Sequence, residues 1–257
     1  MTLFYIILAT GGSGLISIYL AAYLSFGSLG KLVRRLVSLS VGLLLATAIL
    51  NILPEAIESG ANVRGLAWTF LAGLLVFISL EKLAVFRHSH HHEGDGHDHH
   101  QGHDHEQAGK SGFGILLGDS IHNFSDGLMI AAAFMTDVKL GVVTAIAVTA
   151  HEVPQEVGDF IVLINAGYTR TRALVYNLIS GLGAVLGGVI GYFFLEAANG
   201  ILPYALMVVV SSFIYIALAD LIPSMQQARD WKVSIERTGL LLLGVLIVVV
   251  LGFFHQQ

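Results

Sequence analysis

Two stretches of the chain set imidazole, carboxylate and amide side chains at helical spacing within otherwise apolar text. In the first, Asp119, His122, Asn123 and Asp126 would share an arc of about 100° on a helix turning ~100° per residue. In the second, His151, Glu152, Gln155, Glu156 and Asp159 would cover about 140° and rise over roughly 12 Å. His122 and Asp126, at i and i+4, stand one above the other and can grip a single cation, as can His151 and Gln155. Four such ligands make a mixed nitrogen and oxygen shell that suits zinc best, with iron(II) and manganese(II) also compatible. Pro154 adds a second device, because it cannot donate to the carbonyl of Ala150 and is expected to kink the helix, leaving that carbonyl free for a cation. Interhelical hydrogen bonding would account for one isolated Asn or Gln, but poorly for nine polar residues on two stripes.

The elements that must carry these stripes are membrane helices. The chain has 257 residues, is 55% hydrophobic with a mean hydropathy of +0.76, and holds only 12% charged residues where a soluble domain holds about 25%. That excludes an ordinary water-soluble fold. Apolar runs near residues 3–24, 36–53, 66–86, 113–135, 140–164, 173–195, 201–222 and 238–254 each fit the hydrocarbon core, which takes roughly 20 residues. A strand of a barrel would alternate in polarity, and residues 239–254 do not. The expected fold is therefore an all-α membrane protein, an eight-helix transmembrane bundle forming one domain over residues 1–257. Polar residues inside such spans cost roughly 2.5–3.5 kcal/mol each on insertion scales and normally mark a pathway.

Other chemistry is excluded by composition. The absence of cysteine removes disulfides, iron–sulfur clusters and thiolate metal sites. With 13 basic against 18 acidic residues, a net charge of −5, there is no basic face for nucleic acid. The start Met1-Thr2-Leu3-Phe4 lacks a basic n-region, so the first run is expected to stay as a helix. An even number of spans puts both termini on one side. Placing them outside leaves eleven basic residues (Lys31, Arg34, Arg35, Lys82, Arg87, Lys110, Arg170, Arg172, Arg229, Lys232, Arg237) at the cytoplasmic face and two (Arg64, Lys139) outside, as the positive-inside rule requires. The expectation is an integral protein of a cell inner membrane or plasma membrane with both termini on the non-cytoplasmic side.

Two further patterns complete the organisation. Between the third and fourth spans, residues 88–105 hold nine of the 12 histidines, His88, His90, His91, His92, His97, His99, His100, His103 and His105, interleaved with Glu93, Asp95, Asp98 and Asp104. This reads as a disordered cytoplasmic loop within 87–112 that binds zinc, nickel or copper(II), the plainer alternative being a solvated spacer. Leu50-Asn51-Ile52-Leu53-Pro54-Glu55 closes the second span outside, and Ala219-Asp220-Leu221-Ile222-Pro223-Ser224 closes the seventh inside. Similar text in opposite orientation is what an inverted repeat gives, spans 1–3 with 6–8 and 4–5 between them in a 3+2+3 bundle. The habit of proline at helix ends accounts equally well for the match.

The text His122-Asn123-Phe124-Ser125-Asp126-Gly127 with His151-Glu152-Val153-Pro154-Gln155-Glu156 resembles the paired fourth- and fifth-helix motifs of the ZIP (Zrt/Irt-like) family of divalent metal transporters. The continuation Val157-Gly158-Asp159-Phe160, with Ala166-Gly167 and Tyr176-Asn177-Leu178, is similar to the branch with an extended H-E-x-P-H-E motif. The resemblance implies eight spans, outside termini, and a transported metal as the one ligand, with no further cofactor. It implies a primary metal site from His122, Asp126, His151 and Gln155, and an adjacent one from Asn123 and Glu152 sharing Asp126 and Gln155. Three positions depart from the pattern. Gln155 stands where that branch has His and others have Glu. Ala184 aligns with a metal-binding Glu of some bacterial members, so the second site is expected to be weak. Glu156 is acidic where simpler members have Gly, and is a candidate compensating ligand.

Asn51, Glu55 and Glu58 at the outer end of the second span could attract a cation, and Asp119 and Asp159 extend the stripes towards the cytoplasm, so the metal is expected to enter from outside and leave inward by alternating access. The bilayer and the ion are the expected partners, and a homodimer is a candidate assembly. Two other readings compete. A cation-diffusion-facilitator-like exporter shares the H-x-x-x-D pair but needs two such pairs in six helices and usually a soluble C-terminal domain. An intramembrane zinc metalloprotease would read His151-Glu152 as the start of H-E-x-x-H, but Gln155 occupies the second histidine's place. No covalent chemistry, and so no enzyme, is expected.

Overall fold

The computed structural model describes residues 1–26, 30–89, 104–198, 200–225 and 231–253, and among these every regular element is helical. The elements are α1 (Thr2–Phe26), α2 (Gly30–Ala46), α3 (Leu53–Glu58), α4 (Val63–Ser89), α5 (Asp104–Thr136), α6 (Val138–Asn165), α7 (Arg170–Ala197), α8 (Leu202–Tyr215), α9 (Ile222–Met225) and α10 (Trp231–Phe253). Two π-helical turns, Thr47–Ile52 and Ile216–Leu221, join α2 to α3 and α8 to α9. Among the described residues, five helical stretches are long and apolar enough to cross a membrane: Thr2–Ser25, Lys31–Glu58, Arg170–Ala197, Leu202–Ala219 and Trp231–Gly252. The protein is thus a helical membrane protein. Its outer surface agrees, with Phe4, Leu8, Tyr23, Trp68, Phe193, Phe194 and Trp231 all exposed, an apolar coat that water would penalise and lipid accepts. The helices α5 and α6 carry the polar stripes, which lower their hydropathy.

Residues His90, His91, His92, His97, His99, His100 and His103 of the histidine-rich segment lie outside the described residues. The flanks of the 87–112 segment are helical, since α4 runs to Ser89 and α5 starts at Asp104; His88 and His105 fall on those two backbones.

Local sequence explains the joints that matter to the stripes. One residue, Asp137, separates α5 from α6. It is extended (φ −153°, ψ 145°) and its carboxylate accepts from the amides of Lys139 at 2.7 Å and Leu140 at 3.1 Å, satisfying two of the orphan donors of the α6 N-terminus. So tight a reversal forces α5 and α6 to run antiparallel side by side. At the other end α6 closes through Gly167 at φ 87°, a conformation that glycine adopts without strain. The two π turns have a common cause. In each, the amide just before the proline, Leu53 or Ile222, reaches back five residues to the carbonyl of Ala48 or Ala217. Pro54 and Pro223 lack an amide hydrogen, and their rings would strike the carbonyl four residues back, so the widened turn relieves the clash.

Packing sorts the helices into two groups that cut across chain order. In one, α1 sits with α5, α6 and α7; in the other, α2 and α3 sit with α4, α8, α9 and α10; the groups meet mainly where α2 touches α6 and α5 touches α8. Each group has a close backbone crossing built on paired glycines. A Cβ at Gly127 would strike the carbonyl of Ala184, and one at Gly187 the carbonyl of Phe124, locking α5 to α7. Gly42 against Leu241 and Gly244 against Leu39 do the same for α2 and α10. Without a hydrophobic driving force between helices in lipid, such small-residue seams let backbones pack closely. The main core, with Ile6, Leu44, Ile52, Leu66, Ile130, Leu206 and Phe213 fully buried, fills the space around these seams.

Candidate metal centre

Because α5 and α6 are antiparallel neighbours, Asp126, four residues after His122 on α5, faces His151 on α6. His151 Nε2 lies 3.3 Å from Asp126 Oδ2 and 3.4 Å from His122 Nε2, and His122 Nε2 lies 3.5 Å from the same Oδ2. The three ligand atoms converge within 4.8 Å of one another. Ligands held tetrahedrally at the zinc bond length of ~2.0–2.1 Å would stand about 3.3–3.4 Å apart, so the observed spacing forms one face of such a tetrahedron. Asp126 is 0% and His151 1% exposed, whereas the His122 side chain is 26% exposed, which puts the accessible edge of the group at His122. His151 Nδ1 lies 3.3 Å from the carbonyl of Ala147. That contact orients the ring with Nε2 inward, the usual outer support for a metal-binding imidazole. Neither oxygen of Asp126 has a hydrogen-bond donor among the described residues. A buried carboxylate that meets only imidazole nitrogens is poorly compensated, and a dication would correct the imbalance.

The other stripe residues are held differently. Asn123 donates through Nδ2 to the backbone carbonyl of Asp119 (3.1 Å) and to its Oδ1 (3.0 Å), while Ser180 of α7 donates to Asp119 Oδ2. The buried Oδ1 of Asn123 has no partner among the described residues, so it could still offer an oxygen to a cation. The Gln155 amide, one turn along α6 from His151, lies beside the Asp119 carboxylate. Glu152 Oε2 accepts from Ser13 (3.2 Å) and Ser17 (3.1 Å) of α1. Glu156 is buried near Asp119 and Asp159, and its Oε2 has no partner among the described residues; Asp159 is half-buried. Asn51 in the first π turn is half-buried with its Nδ2 unpartnered among the described residues, and Glu55 is half-buried on α3.

One expectation is corrected. The carbonyl of Ala150, freed by Pro154, is not left open, because the Ser40 hydroxyl of α2 lies 2.5 Å from it, closer than the 2.8 Å to its own-helix alternative, the carbonyl of Leu36. A hydroxyl from the neighbouring helix group takes the bond that the proline removed, as polar side chains do for broken membrane helices.

Several residues that shape the site carry weak sequence signals. Ser13 and Ser17 sit at helical spacing on α1, and Ser180 and Asn177 on α7, within otherwise apolar text. Thr144, two turns before His151 on the same face of α6, and Thr47, in the π turn packed against α6, are buried with hydroxyls unpartnered among the described residues. A small hydroxyl in a membrane helix usually just bonds its own backbone, as Thr10 does to Ile6, so residue type alone did not separate these from that background.

A helical membrane protein with histidine and carboxylate ligands converging between two neighbouring helices belongs to the class of integral metal-binding membrane proteins. Comparison with known proteins gives the family: residues 79–252 match the ZIP zinc transporter family model. The chain is 31% identical over 242 residues to zinc transporter ZIP13 of Pongo abelii, covering 86% of this chain and 67% of that protein. It is 42% identical over 151 residues to human zinc transporter ZIP10, covering 56% of this chain and 18% of that one, and 38% identical over 150 residues to rat ZIP4, covering 56% and 22%. The chain therefore belongs to the ZIP family, whose members are transporters rather than enzymes. It spans only about a fifth of the length of the ZIP10 and ZIP4 relatives.

Proposed function

We propose that the protein carries a divalent metal, zinc foremost, across the membrane into the cytoplasm by alternating access through the site between α5 and α6. The observation that carries this reading is the meeting of His122, Asp126 and His151 at tetrahedral spacing in the bundle interior. The names of the ZIP13, ZIP10 and ZIP4 relatives, all zinc transporters, support zinc as cargo. Gln155 supplies a fourth, uncharged oxygen. Two neutral imidazoles, one carboxylate and one amide leave a bound dication undercompensated by one charge, which suits a site that must also let go.

Entry runs past Glu55 and Asn51 and the buried hydroxyls of Thr47 and Thr144; exit runs along Asn123, Asp119, Glu156 and Asp159, whose side-chain oxygens would receive the ion on its way inward. Eight spans in a 3+2+3 inverted repeat organise the path. The matching π turns support that repeat, since each widens the helix immediately before its proline at the same place in the two similar texts. The basic residues of the connections support outside termini. The helix group α1, α5, α6 and α7 is the unit whose motion against the other group would expose the site in turn. One ion binds tightly, not two. Glu152 already has one oxygen engaged, Ala184 brings no ligand, and two dications a few ångströms apart repel strongly in a low-dielectric interior.

The test is uptake of zinc, iron(II) and manganese(II) by proteoliposomes at several pH values, with peptide cleavage assayed in parallel. Saturable metal flux without cleavage is the expected result; cleavage without flux would overturn the reading.

A further inference from the structure

Glu152 follows a member of the convergent triad in sequence, yet its carboxylate is claimed by a third helix. Ser13 and Ser17, one turn apart on α1, both reach Oε2, at 3.2 and 3.1 Å. Both serines are buried, 4% and 0% exposed. The other oxygen, Oε1, is buried and has no partner among the described residues. The two oxygens of one carboxylate are therefore unlike, one within reach of two hydroxyls, each of which also has a second partner, and one bare.

That asymmetry limits what Glu152 can offer a cation. A carboxylate with one oxygen engaged by two donors presents the other singly, whereas an unrestrained one can chelate with both. Single oxygens fit the four-coordinate shell of zinc. Chelating carboxylates serve larger, oxygen-preferring ions such as calcium, which takes six to eight oxygens at ~2.3–2.6 Å, and carboxylate-rich sites also suit manganese. Neither serine is stranded if Glu152 shifts, because Ser17 can turn to the carbonyl of Gly14 at 3.1 Å and Ser13 to the hydroxyl of Thr149 at 2.7 Å. The hydroxyls thus bias the carboxylate without locking it.

We propose that Ser13 and Ser17 are specificity-determining positioning residues, which restrict Glu152 to one oxygen towards the transported ion and thereby favour zinc over larger oxygen-preferring dications. This rests on the transport reading above. It assigns to α1, which bears none of the ligands, control over which metals pass the carboxylate that adjoins the triad of His122, Asp126 and His151.

The experiment compares zinc, manganese(II) and calcium uptake, singly and in competition, for the wild type and for the Ser13→Ala/Ser17→Ala double variant in proteoliposomes. The double variant is expected to lose about tenfold of its preference for zinc over manganese, the scale of one charge-assisted hydrogen bond, through a fall in KM for manganese rather than a general fall in kcat. Ser17→Thr, which keeps a hydroxyl, should retain the wild-type preference. In a Glu152→Gln background the serine substitutions should no longer change the ratio, because the pair acts through that carboxylate. If the double variant inserts poorly, the single Ser13→Ala and Ser17→Ala variants should each show a smaller shift in the same direction. Flux that falls equally for all three ions, or an equal shift in the Glu152→Gln background, would overturn the inference while leaving the transport reading intact. A wild type that carries none of these ions would defeat the transport reading itself, and the inference with it.

Discussion

Buried carboxylates on the same two helices meet opposite fates: Asp126 within the triad, against Asp119 two turns away on α5 and Glu152 beside the triad on α6. Asp126 has two imidazoles beside it and no hydrogen-bond donor among the described residues. Asp119 and Glu152 are supplied with donors: Asn123 and Ser180 for the first, Ser13 and Ser17 for the second. Residue type is the same in both regions, and burial nearly so; what differs is the partner. A carboxylate oxygen that already accepts from hydroxyl and amide donors has less to gain from a bound cation than one that meets only imidazole nitrogens. Carboxylates of like burial around the triad and around Asp119 thus differ in the donors that meet them, although Glu156, whose Oε2 also lacks a partner among the described residues, does not follow that division.

That comparison can be broken at several points. Asp126→Ala removes the anion on which the triad is centred, and zinc uptake by the inserted protein should fall by more than about a hundredfold, the effect exceeding the ~10–100-fold usual for losing an outer supporting group; His122→Ala should behave similarly. Near-normal flux in both would take this site out of the mechanism. Asp119→Asn keeps the shape that Ser180 and Asn123 bond to but deletes the charge. It should slow uptake about tenfold while zinc affinity at the triad, measured by calorimetry on the purified protein, stays unchanged. Loss of that affinity would mean that the two regions are one.

Smaller effects sharpen the boundary between the two helix groups. Ser40→Ala leaves the Ala150 carbonyl without its cross-helix donor, which should cost about 1–3 kcal/mol of stability, read as a lower melting temperature in detergent, with zinc affinity little altered. The smallest effect is expected from deleting residues 90–103. Maximal flux should stay within about twofold of wild type, and only the response to high cytoplasmic metal should change; complete loss of flux in an inserted deletion protein would give the histidine-rich segment a direct part in transport.

Much of this was legible in the amino-acid order, and the parts that were not share a physical reason. Helical spacing of His122 with Asp126, and the placing of His151 on a second stripe, was enough to bring the triad together, because side chains at i and i+4 on two adjacent helices have few other ways to bury their charge. Helix ends were less legible. The apolar run at 36–53 belongs to a rod that begins at Gly30 and continues through the π turn to Glu58, since polar end turns lie beyond the hydrocarbon core. Partner choice was illegible. Nothing in the text of α1 announces that Ser13 and Ser17 will face Glu152 across 135 or more residues of chain, and the carbonyl that Pro154 frees looks open until α2 brings Ser40 to it. Periodicity reports which side of a helix is polar; it does not report which helix that side will meet.

The central claim is that a single ion sits where the three ligand atoms of α5 and α6 converge. Crystals of the protein grown with a low, stoichiometric concentration of zinc and measured at the zinc absorption edge test it most directly. One fully occupied anomalous peak is expected about 2.0–2.1 Å from His122 Nε2, His151 Nε2 and an oxygen of Asp126. Two fully occupied peaks between α5 and α6, or a peak confined to other residues with the triad empty, would contradict it.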